Sequence, residues 1–221
     1  MGNTMELTKI KDMIKQMATT HKVEGSSVFE GHTYGRLPFK ELENMPYHRD
    51  NKERTDWILN NMPENCKSIL DLGCNVGHLS FELASHGFKV YGIDYDGNAI
   101  NIAKKINEYY HMDCEFYAKN ILDISLMYQK YDVILFLSAF QWIVKQIGIF
   151  KAKMFINILS DRCKYMFFET SGSDSMAQLI QADDFEWQKD LLETHRFKIL
   201  DYKKMKVDTG NERWIIKCLS I

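Results

Sequence analysis

The sequence of 221 residues predicts a doubly wound α/β fold, with a seven-stranded, mostly parallel sheet, helices on both faces and a helical N-terminal leader. Short apolar runs alternate with amphipathic segments from Ser68 to Glu169, as strands joined by crossover helices require. A turn with two glycines follows the first of these runs, at residues 73–77. The last two runs flank Thr209-Gly-Asn, a reverse-turn signal that predicts an antiparallel hairpin at the C-terminal end.

A change in composition divides the chain into two predicted parts. All three prolines occur before residue 64, and the sequence beyond them contains none. We therefore expect residues 1–64 to form an N-terminal helical leader or cap, and residues 65–221 to form the main α/β domain. Within the leader, the spacing of apolar residues predicts helices near Met5–His21 and Asp50–Met62, separated by a looser stretch at Gly25–Pro46.

The main domain alternates strands and helices in the order that a doubly wound sheet requires. Leu79 and Leu83 lie one turn apart, for example, and this spacing indicates a helix. The strands are expected at Ser68–Leu72, Val90–Ile93, Glu115–Ala118, Val133–Leu137, Tyr165–Glu169, Phe197–Val207 and Arg213–Leu219. The helices are expected at His78–His86, Ala99–Tyr109, around Met154–Leu159 and at Phe185–His195.

Composition excludes several classes of protein. An apolar fraction of 45% and an aromatic fraction of 13% exclude a disordered chain. The formal net charge of −2 gives no overall attraction to nucleic acid or to an anionic membrane, so neither is expected as a partner. The five cysteines include no Cys-x-x-Cys pair, so we expect no metal site and no disulfide framework. Without an apolar run of membrane-spanning length or a signal-peptide core, a cytoplasmic location is expected, and the oligomeric state stays open.

The turn after the first strand carries the main functional signal. It reads Asp71-Leu-Gly73-Cys-Asn75-Val-Gly77, in which the glycines permit a tight reversal and a close approach of backbone to a ligand. In a dinucleotide fingerprint the second and third glycines would fall at Asn75 and His78, so that pattern fails at two positions. A carboxylate at the strand tip repels a pyrophosphate but suits a cationic ligand with an amino group.

A second acid completes a resemblance to a known family. Asp94 ends the second strand, 23 residues after Asp71, a spacing at which an acid meets a ribose hydroxyl. The stretch resembles the class I, Rossmann-like S-adenosylmethionine-dependent methyltransferases, whose first motif reads acid-x-Gly-x-Gly-x-Gly. Asn75 replaces the middle glycine of that motif. The resemblance continues to the third and fourth strands, and it implies S-adenosylmethionine as cofactor and S-adenosylhomocysteine as product.

The resemblance also implies a set of cofactor contacts. The acid at the strand tip and the backbone of the glycine turn would hold the amino-acid end, the second acid would bind the ribose, and the residues after the third strand would flank the adenine. These candidates are Asp71, Gly73, Cys74, Asn75, Gly77, Asp94, Tyr95, Asn120, Ile121 and Ser138. Ser138 would line the methionine end, and Cys74 would act through its amide.

Residues for the acceptor are harder to assign. Gln141 and Trp142 follow the fourth strand, in a predicted loop where many small-molecule methyltransferases carry a His-His pair, and Trp142 either faces the reaction or roofs the core. His48 is a candidate general base, since histidine titrates near neutral pH. An arginine of the leader could hold a carboxylate or phosphate in bidentate fashion. The leader's candidates for contact with the acceptor are Tyr34, Arg36, Tyr47 and Arg49, with His32 nearby.

The segment Leu137–Val144 is similar to methyltransferases that act on saccharides or their phosphates. We therefore expect a methyltransferase for a small-molecule or saccharide- or phosphate-type acceptor. An RNA methyltransferase, a non-catalytic cofactor-binding subunit and a nicotinamide-dependent oxidoreductase remain as alternatives. Transfer of a labelled methyl group into a metabolite pool would distinguish the first from the others.

Overall fold

The computed structural model describes residues 4–17, 33–123, 129–170, 185–206 and 212–221. Its helices are α1 Thr4–Met17, α2 Lys52–Asn60, α3 His78–Ser85, α4 Gly97–Tyr110, α5 Phe140–Ile147, α6 Ile149–Ser160 and α7 Phe185–Thr194, with a 3₁₀ turn at Lys40–Leu42. Its strands are β1 Thr33–Gly35, β2 Tyr47–Arg49, β3 Ser68–Leu72, β4 Lys89–Asp94, β5 Cys114–Ala118, β6 Tyr131–Leu137, β7 Cys163–Glu169, β8 Phe197–Lys206 and β9 Glu212–Ser220. None of these helices is long and apolar enough to cross a bilayer.

Seven of the strands form one sheet in the order β5-β4-β3-β6-β7-β9-β8. Strands β3 to β7 pair in parallel, whereas β9 pairs antiparallel with both β7 and β8. The predicted fold class is therefore confirmed, including the C-terminal antiparallel pair. The chain leaves β3 toward β4 and β5 and later returns to β6 on the other side of β3. That reversal creates a crevice at the carboxyl ends of the strands, where doubly wound sheets bind ligands.

The leader packs into the same apolar core as the sheet. Ile10 and Ile14 of α1 and Ile58 of α2 are buried in one cluster with Ile69 of β3 and residues of α3 and α4. A second cluster fills the other face between the sheet and helices α5 to α7. The division at residue 64 stays a prediction about domain organisation, and the buried side chains on its two sides contact each other within this core.

The structure differs from the sequence-based expectation in two places. The predicted loop after the fourth strand is only two residues long, because helix α5 begins at Phe140. The looser part of the leader contains β1, which pairs in parallel with β2 at Thr33↔Tyr47 and Gly35↔Arg49. Three-residue strands are too short to show a periodic pattern, and α5 is a mixture of apolar and β-branched residues that also fits a strand. The turn at Thr209-Gly-Asn lies outside the described residues.

Gly92 provides a test of packing in the centre of the sheet. A Cβ atom at this position in β4 would lie 2.6 Å from the Phe116 ring and 2.9 Å from Cys74 Sγ. We expect Gly92→Ala to lower the free energy of unfolding by about 1–3 kcal/mol, because neither neighbour has space to move away. Gly97→Ala is the matched control, since a Cβ there meets no atom within 4 Å and alanine favours the first turn of α4. Urea titration of both variants would contradict this packing if Gly92→Ala lost no more stability than Gly97→Ala.

Candidate functional site

The glycine turn between β3 and α3 has the backbone shape that its sequence predicts. Gly73, Asn75 and Gly77 all have positive φ, at 83°, 52° and 82°. Asparagine is one of the few residues with a side chain that adopts this left-handed conformation readily, so it replaces the middle glycine of the motif without closing the turn. The Gly73 amide donates to the Ile93 carbonyl at 2.8 Å, which ties the turn to the end of β4.

Asp94 links the two turns that begin at the ends of β3 and β4. Its buried carboxylate accepts the Asn75 amide at 2.8 Å on Oδ2 and the Asp96 amide at 2.9 Å on Oδ1. Burial raises the pKa of this carboxyl group, and the amide hydrogen bonds oppose that rise. Each oxygen has a second lone pair, so Asp94 can hold the turn and still accept a further hydrogen bond from a ligand.

Asp71 lies beneath the turn as a buried acid. Its Oδ2 accepts the Ser80 hydroxyl at 2.6 Å. Burial raises the pKa of Asp71 to about 6, although the Ser80 hydrogen bond and the Arg54 charge both lower it. The hydrogen bond and the Arg54 charge thus offset only part of the cost of burying this carboxylate. A cationic ligand nearby would therefore be favoured.

The remaining cofactor candidates lie along the same edge. Tyr95 follows β4 and is largely exposed, whereas Cys74 is buried, and this burial raises the pKa of its thiol well above the usual value. Asn120, after β5, is exposed, and its Oδ1 accepts the Leu122 amide at 3.0 Å; Ile121 beside it is half-buried. The edge therefore presents polar groups after β3, β4 and β5 in neighbouring positions.

A buried ionic network lies beside this turn, at the end of β7. Glu169 accepts the Ser138 hydroxyl at 2.6 Å, and it pairs with Arg54 of α2 and Arg213 of β9, each at 3.3 Å. Arg213 also donates to the Ser138 hydroxyl at 2.9 Å. The pKa of Glu169 is lowered because the two guanidinium charges and these hydrogen bonds outweigh its burial. We call these four residues the Glu169 network.

A cavity of about 210 Å³ opens onto the Glu169 network. Its lining residues are Arg49, Asp50, Asn51, Glu53, Arg54, Glu169, Met205, Lys206 and Arg213. Four of them are cationic and three are acidic, so the lining carries a small excess of positive charge. Arg49 donates to the Tyr34 hydroxyl at 3.0 Å, which positions its guanidinium at this cavity.

The leader packs against the first residue of α3, which follows the glycine turn directly. Asn51 Nδ2 lies 3.3 Å from His78 Nε2, and a Cβ atom on Gly35 would lie 2.4 Å from the His78 ring. Burial and the Arg54 charge lower the pKa of His78 to about 3, so the ring is neutral. The Asn51 amide therefore faces His78 Nε2, whereas His78 Nδ1 has no hydrogen-bond partner among the described residues.

The structure places the side chains of two of the three catalytic candidates, and these two point in different directions. Gln141 is buried; its Nε2 donates to the Ser138 carbonyl at 2.7 Å, and its Oε1 has no partner in the described part of the chain. Trp142, the next residue, points outward and is half-exposed, so it does not roof the core. The side chain of His48 lies outside the described part of the structure, as does the whole of His32.

Of the leader's four candidates for the acceptor, only Arg49 lines the cavity, and Tyr34 contacts Arg49. Arg36 is exposed and pairs with Glu43 at 3.5 Å, and Tyr47 is also exposed. Tyr34 is half-buried, and its ring centroid lies 5.7 Å from that of His78. Arg49 and Tyr34 therefore meet at the candidate site, whereas Arg36 lies on the surface.

Much of this site is formed by residues that the sequence motifs did not indicate, namely Arg54, His78, Glu169 and Arg213. Arg54 had a usable signal, because it precedes the buried Ile58 by four residues and so occupies the inward face of α2. Glu169 had a weaker signal, as an acid that ends an apolar strand. The role of Arg213 follows only from the pairing of β9 with β7, which no local pattern reveals.

Comparison with known proteins yields one consistent family. The sequence profile of a family described as "Methyltransferase domain" matches residues 63–190. Over 89 residues the chain is 32% identical to a ubiquinone biosynthesis O-methyltransferase of Coxiella burnetii, a match that covers 40% of this chain and 38% of that relative. The alignment therefore spans well under half the length of the curated relative.

Solved structures share the fold over a longer range. The bifunctional kinase-methyltransferase WbdD superposes with a TM-score of 0.72 at 22% identity, and the match covers 94% of this chain and 46% of WbdD. Magnesium protoporphyrin IX methyltransferase from Synechocystis, solved with bound S-adenosylmethionine, superposes with a TM-score of 0.58 at 19% identity, over 76% of this chain and 77% of that protein.

Asp71 yields a prediction about stability and pH. Its folded pKa of about 6 exceeds the ordinary value of 3.8, so the native state binds more protons between these pH values and stability falls as the pH rises through them. Asparagine does not titrate, so we expect Asp71→Asn to lack this loss of stability. As the pH rises from 4 to 7.5, the free energy of unfolding of the variant should increase by on the order of 2–3 kcal/mol relative to that of the natural protein. Urea unfolding of both proteins at pH 4 and pH 7.5 measures this difference. If the free energy of unfolding changed equally with pH in the two proteins, the prediction would be contradicted.

Proposed function

Because this chain belongs to the Methyltransferase domain family, we propose that it is a class I S-adenosylmethionine-dependent methyltransferase and that it methylates a small-molecule or saccharide-type acceptor that carries a phosphate or carboxylate. One observation carries the proposal. The edge of the sheet carries buried acids at β3 and β4, whereas the cavity at β7 and β9 has four cationic and three acidic lining residues and so a small excess of positive charge. A cationic cofactor fits the first side and an anionic acceptor fits the second.

The residues at β3 and β4 fit S-adenosylmethionine. This cofactor would supply a methyl group on a sulfonium: an aligned nucleophile bonds to the methyl carbon in line as the C–S bond breaks, and S-adenosylhomocysteine leaves with the electron pair. We propose that Asp71 and the backbone of Gly73–Gly77 hold the cationic amino-acid end, and that Asp94 accepts from the ribose. Asn75 Oδ1 and Gln141 Oε1 support this proposal, because both are buried acceptors without a partner among the described residues.

The other cofactor contacts follow from position along the edge. Tyr95, Asn120 and Ile121 follow β4 and β5, and we propose that they flank the adenine. Ser138 follows β6 and faces Glu169, and we propose that its backbone lines the methionine end while its hydroxyl stays in the Glu169 network. The exposure of Tyr95 is consistent with a ring that becomes covered only when the cofactor binds.

The cavity at the Glu169 network suits an anionic acceptor. Glu169 occupies one side of Arg54 and Arg213 and holds their guanidinium groups in fixed positions. We propose that these groups, with Arg49 and Lys206, bind a phosphate or carboxylate of the acceptor. An anionic oxygen is already a nucleophile and needs no general base. This agrees with the absence of a histidine at Gln141 and Trp142, although His48 remains the candidate base for a hydroxyl acceptor.

The activity can be tested without knowing the acceptor. The protein is incubated with methyl-labelled S-adenosylmethionine and a cell extract that is separated into small-molecule, RNA and protein fractions. We expect label in the anionic part of the small-molecule fraction, and we expect phosphatase or esterase treatment to alter the labelled product. Label in the RNA fraction alone would contradict the proposed acceptor while leaving the cofactor assignment intact.

Cofactor binding depends on Asp94 in this proposal. We expect Asp94→Ala to weaken S-adenosylmethionine binding more than about tenfold, through loss of a charge-assisted hydrogen bond to the ribose and of the bond that holds the Asn75 amide. Asp96→Asn serves as the control, because it changes a neighbouring acid that caps α4. Calorimetry that gave equal affinities for the two variants would contradict the placement of the ribose.

Arg49 and Arg36 form a matched pair for the acceptor side. Arg49 lines the cavity, whereas Arg36 is exposed and pairs with Glu43. We expect Arg49→Gln to raise KM for the acceptor at least about tenfold, because a hydrogen bond to a charged group is worth about 1.5–3 kcal/mol. Arg36→Gln is expected to change KM less than twofold, and neither variant should alter the Kd for the cofactor. Equal effects of the two variants on KM would exclude the cavity as the acceptor site.

A further inference from the structure

Helices α5 and α6 expose an unusual group of large apolar side chains. Trp142 of α5 is 46% exposed, and Ile149, Phe150 and Met154 of α6 are 40%, 75% and 46% exposed. We call these four residues the α5–α6 patch. Phe150 and Met154 lie one turn apart on α6, and Ile149 precedes Phe150 directly. Exposed apolar groups of this kind mark surfaces that bind a partner.

The opposite faces of the same helices are already buried in the core. Phe140 and Ile143 of α5, and Phe155 and Ile156 of α6, belong to the apolar cluster against the sheet. The outward residues are therefore not needed to attach the helices to the protein. A helix that is apolar on both faces is expected to be buried on both faces, and the second face here has no cover within the described residues.

The charged residues of α5 and α6 themselves all have one sign. Residues 133–160 contain no aspartate or glutamate, and their charged residues are Lys145, Lys151 and Lys153. The Lys145 ammonium lies 5.5 Å from the centre of the Trp142 ring. The net charge of −2 for the whole chain conceals this local excess of lysine, because the acidic residues all lie outside this segment of the sequence.

We propose that the α5–α6 patch docks the protein on the surface of an anionic lipid bilayer. Aromatic and aliphatic side chains enter the interfacial layer, and the flanking lysines pair with anionic headgroups while their methylene stems lie along the apolar surface. The tryptophan supports this partner, since its ring is favoured at the boundary between water and lipid. This inference does not depend on the proposed methylation reaction.

The position of the α5–α6 patch in the fold indicates which edge of the sheet would lie nearest the bilayer. Helix α6 leads from the carboxyl edge of the sheet back to Cys163, where parallel strand β7 begins at the amino edge. Ile149 and Phe150 begin α6, so they lie toward the carboxyl edge, on the same side as the Glu169 network. Docking through this patch therefore brings the candidate site close to the bilayer surface, where an acceptor held at the membrane becomes accessible.

A second copy of the chain fits this surface less well. A two-fold interface would place the patch against itself, so the three lysines of one protomer would face those of the other. Such like-charge contacts cost several kcal/mol at an interface. An anionic bilayer instead satisfies both the apolar and the cationic features of the patch.

Sedimentation with lipid vesicles tests the proposal. We expect the full chain to sediment with vesicles that contain phosphatidylglycerol and not with vesicles of phosphatidylcholine alone, and we expect added salt to weaken the binding. Phe150→Ser should lower the partition coefficient at least about tenfold, and Lys151→Gln should lower it about fivefold, because each lysine contributes about 1 kcal/mol at an anionic surface. Leu200→Ser is the control, since Leu200 is 44% exposed on β8 in another part of the fold.

Several outcomes would overturn the proposal. These are no binding to the anionic vesicles, equal binding to both vesicle types, or equal effects of Phe150→Ser and Leu200→Ser. A dimer in analytical ultracentrifugation that Phe150→Ser dissociates would assign the patch to a second copy. Thermal melting and S-adenosylmethionine affinity of each variant verify that it is folded, and both should match the natural protein. If the natural protein bound the anionic vesicles as expected but transferred no methyl group in solution, the proposed function would be rejected and the docking proposal would stand.

Discussion

One buried carboxylate, that of Glu169, connects the parts of the chain that surround the candidate site. Its two guanidinium partners come from the leader and from the last strand, and its hydroxyl partner comes from the end of β6. Arg54 and Glu169 are 115 residues apart in sequence, so their pairing forms only when the leader has packed on the completed sheet. Removal of the carboxylate would take from two buried cations the ion-pair partner that they share, a change that typically costs 3–5 kcal/mol. The leader is thus fixed to the core at the same point at which the cavity opens.

The same charges explain why the edge of the sheet has two chemically different halves. Arg54 is attracted to Asp71 as well as to Glu169, so it lies between the acids below the glycine turn and the cavity beside β7. A sulfonium cofactor and an anionic acceptor would each meet a field of opposite sign, and the two would also attract each other. In the proposed reaction, transfer of the methyl group would neutralise the sulfonium and remove charge from an anionic acceptor. These residues would then hold the product pair less strongly than the reactants, which would favour release.

The fold could be predicted well from local patterns, whereas half of the site could not. Strand β3 has the predicted bounds, and the turn after it has the backbone angles that its glycines and Asn75 suggest. The signals for both lie within a few neighbouring residues. The Glu169 network depends on strand order and on the position of α2, which involve contacts between distant segments. Asp94 lies between these two cases. Its position at the end of the second strand was predicted from the sequence spacing, whereas its hydrogen bond with the Asn75 amide depends on the three-dimensional shape of the turn.

The start of α5 determines how the candidate site and the α5–α6 patch are related. Successive residues of an α-helix point about 100° apart, so consecutive positions can face the core and the solvent in turn. With the helix beginning at Phe140, Gln141 turns inward to the Ser138 carbonyl and Trp142 turns outward beside Lys145. If the helix began one residue later with the strand unchanged, these orientations would change, and neither the buried amide nor the exposed indole would keep its place. The two-residue connection after β6 therefore sets the acceptor side of the site and the outer surface at the same time.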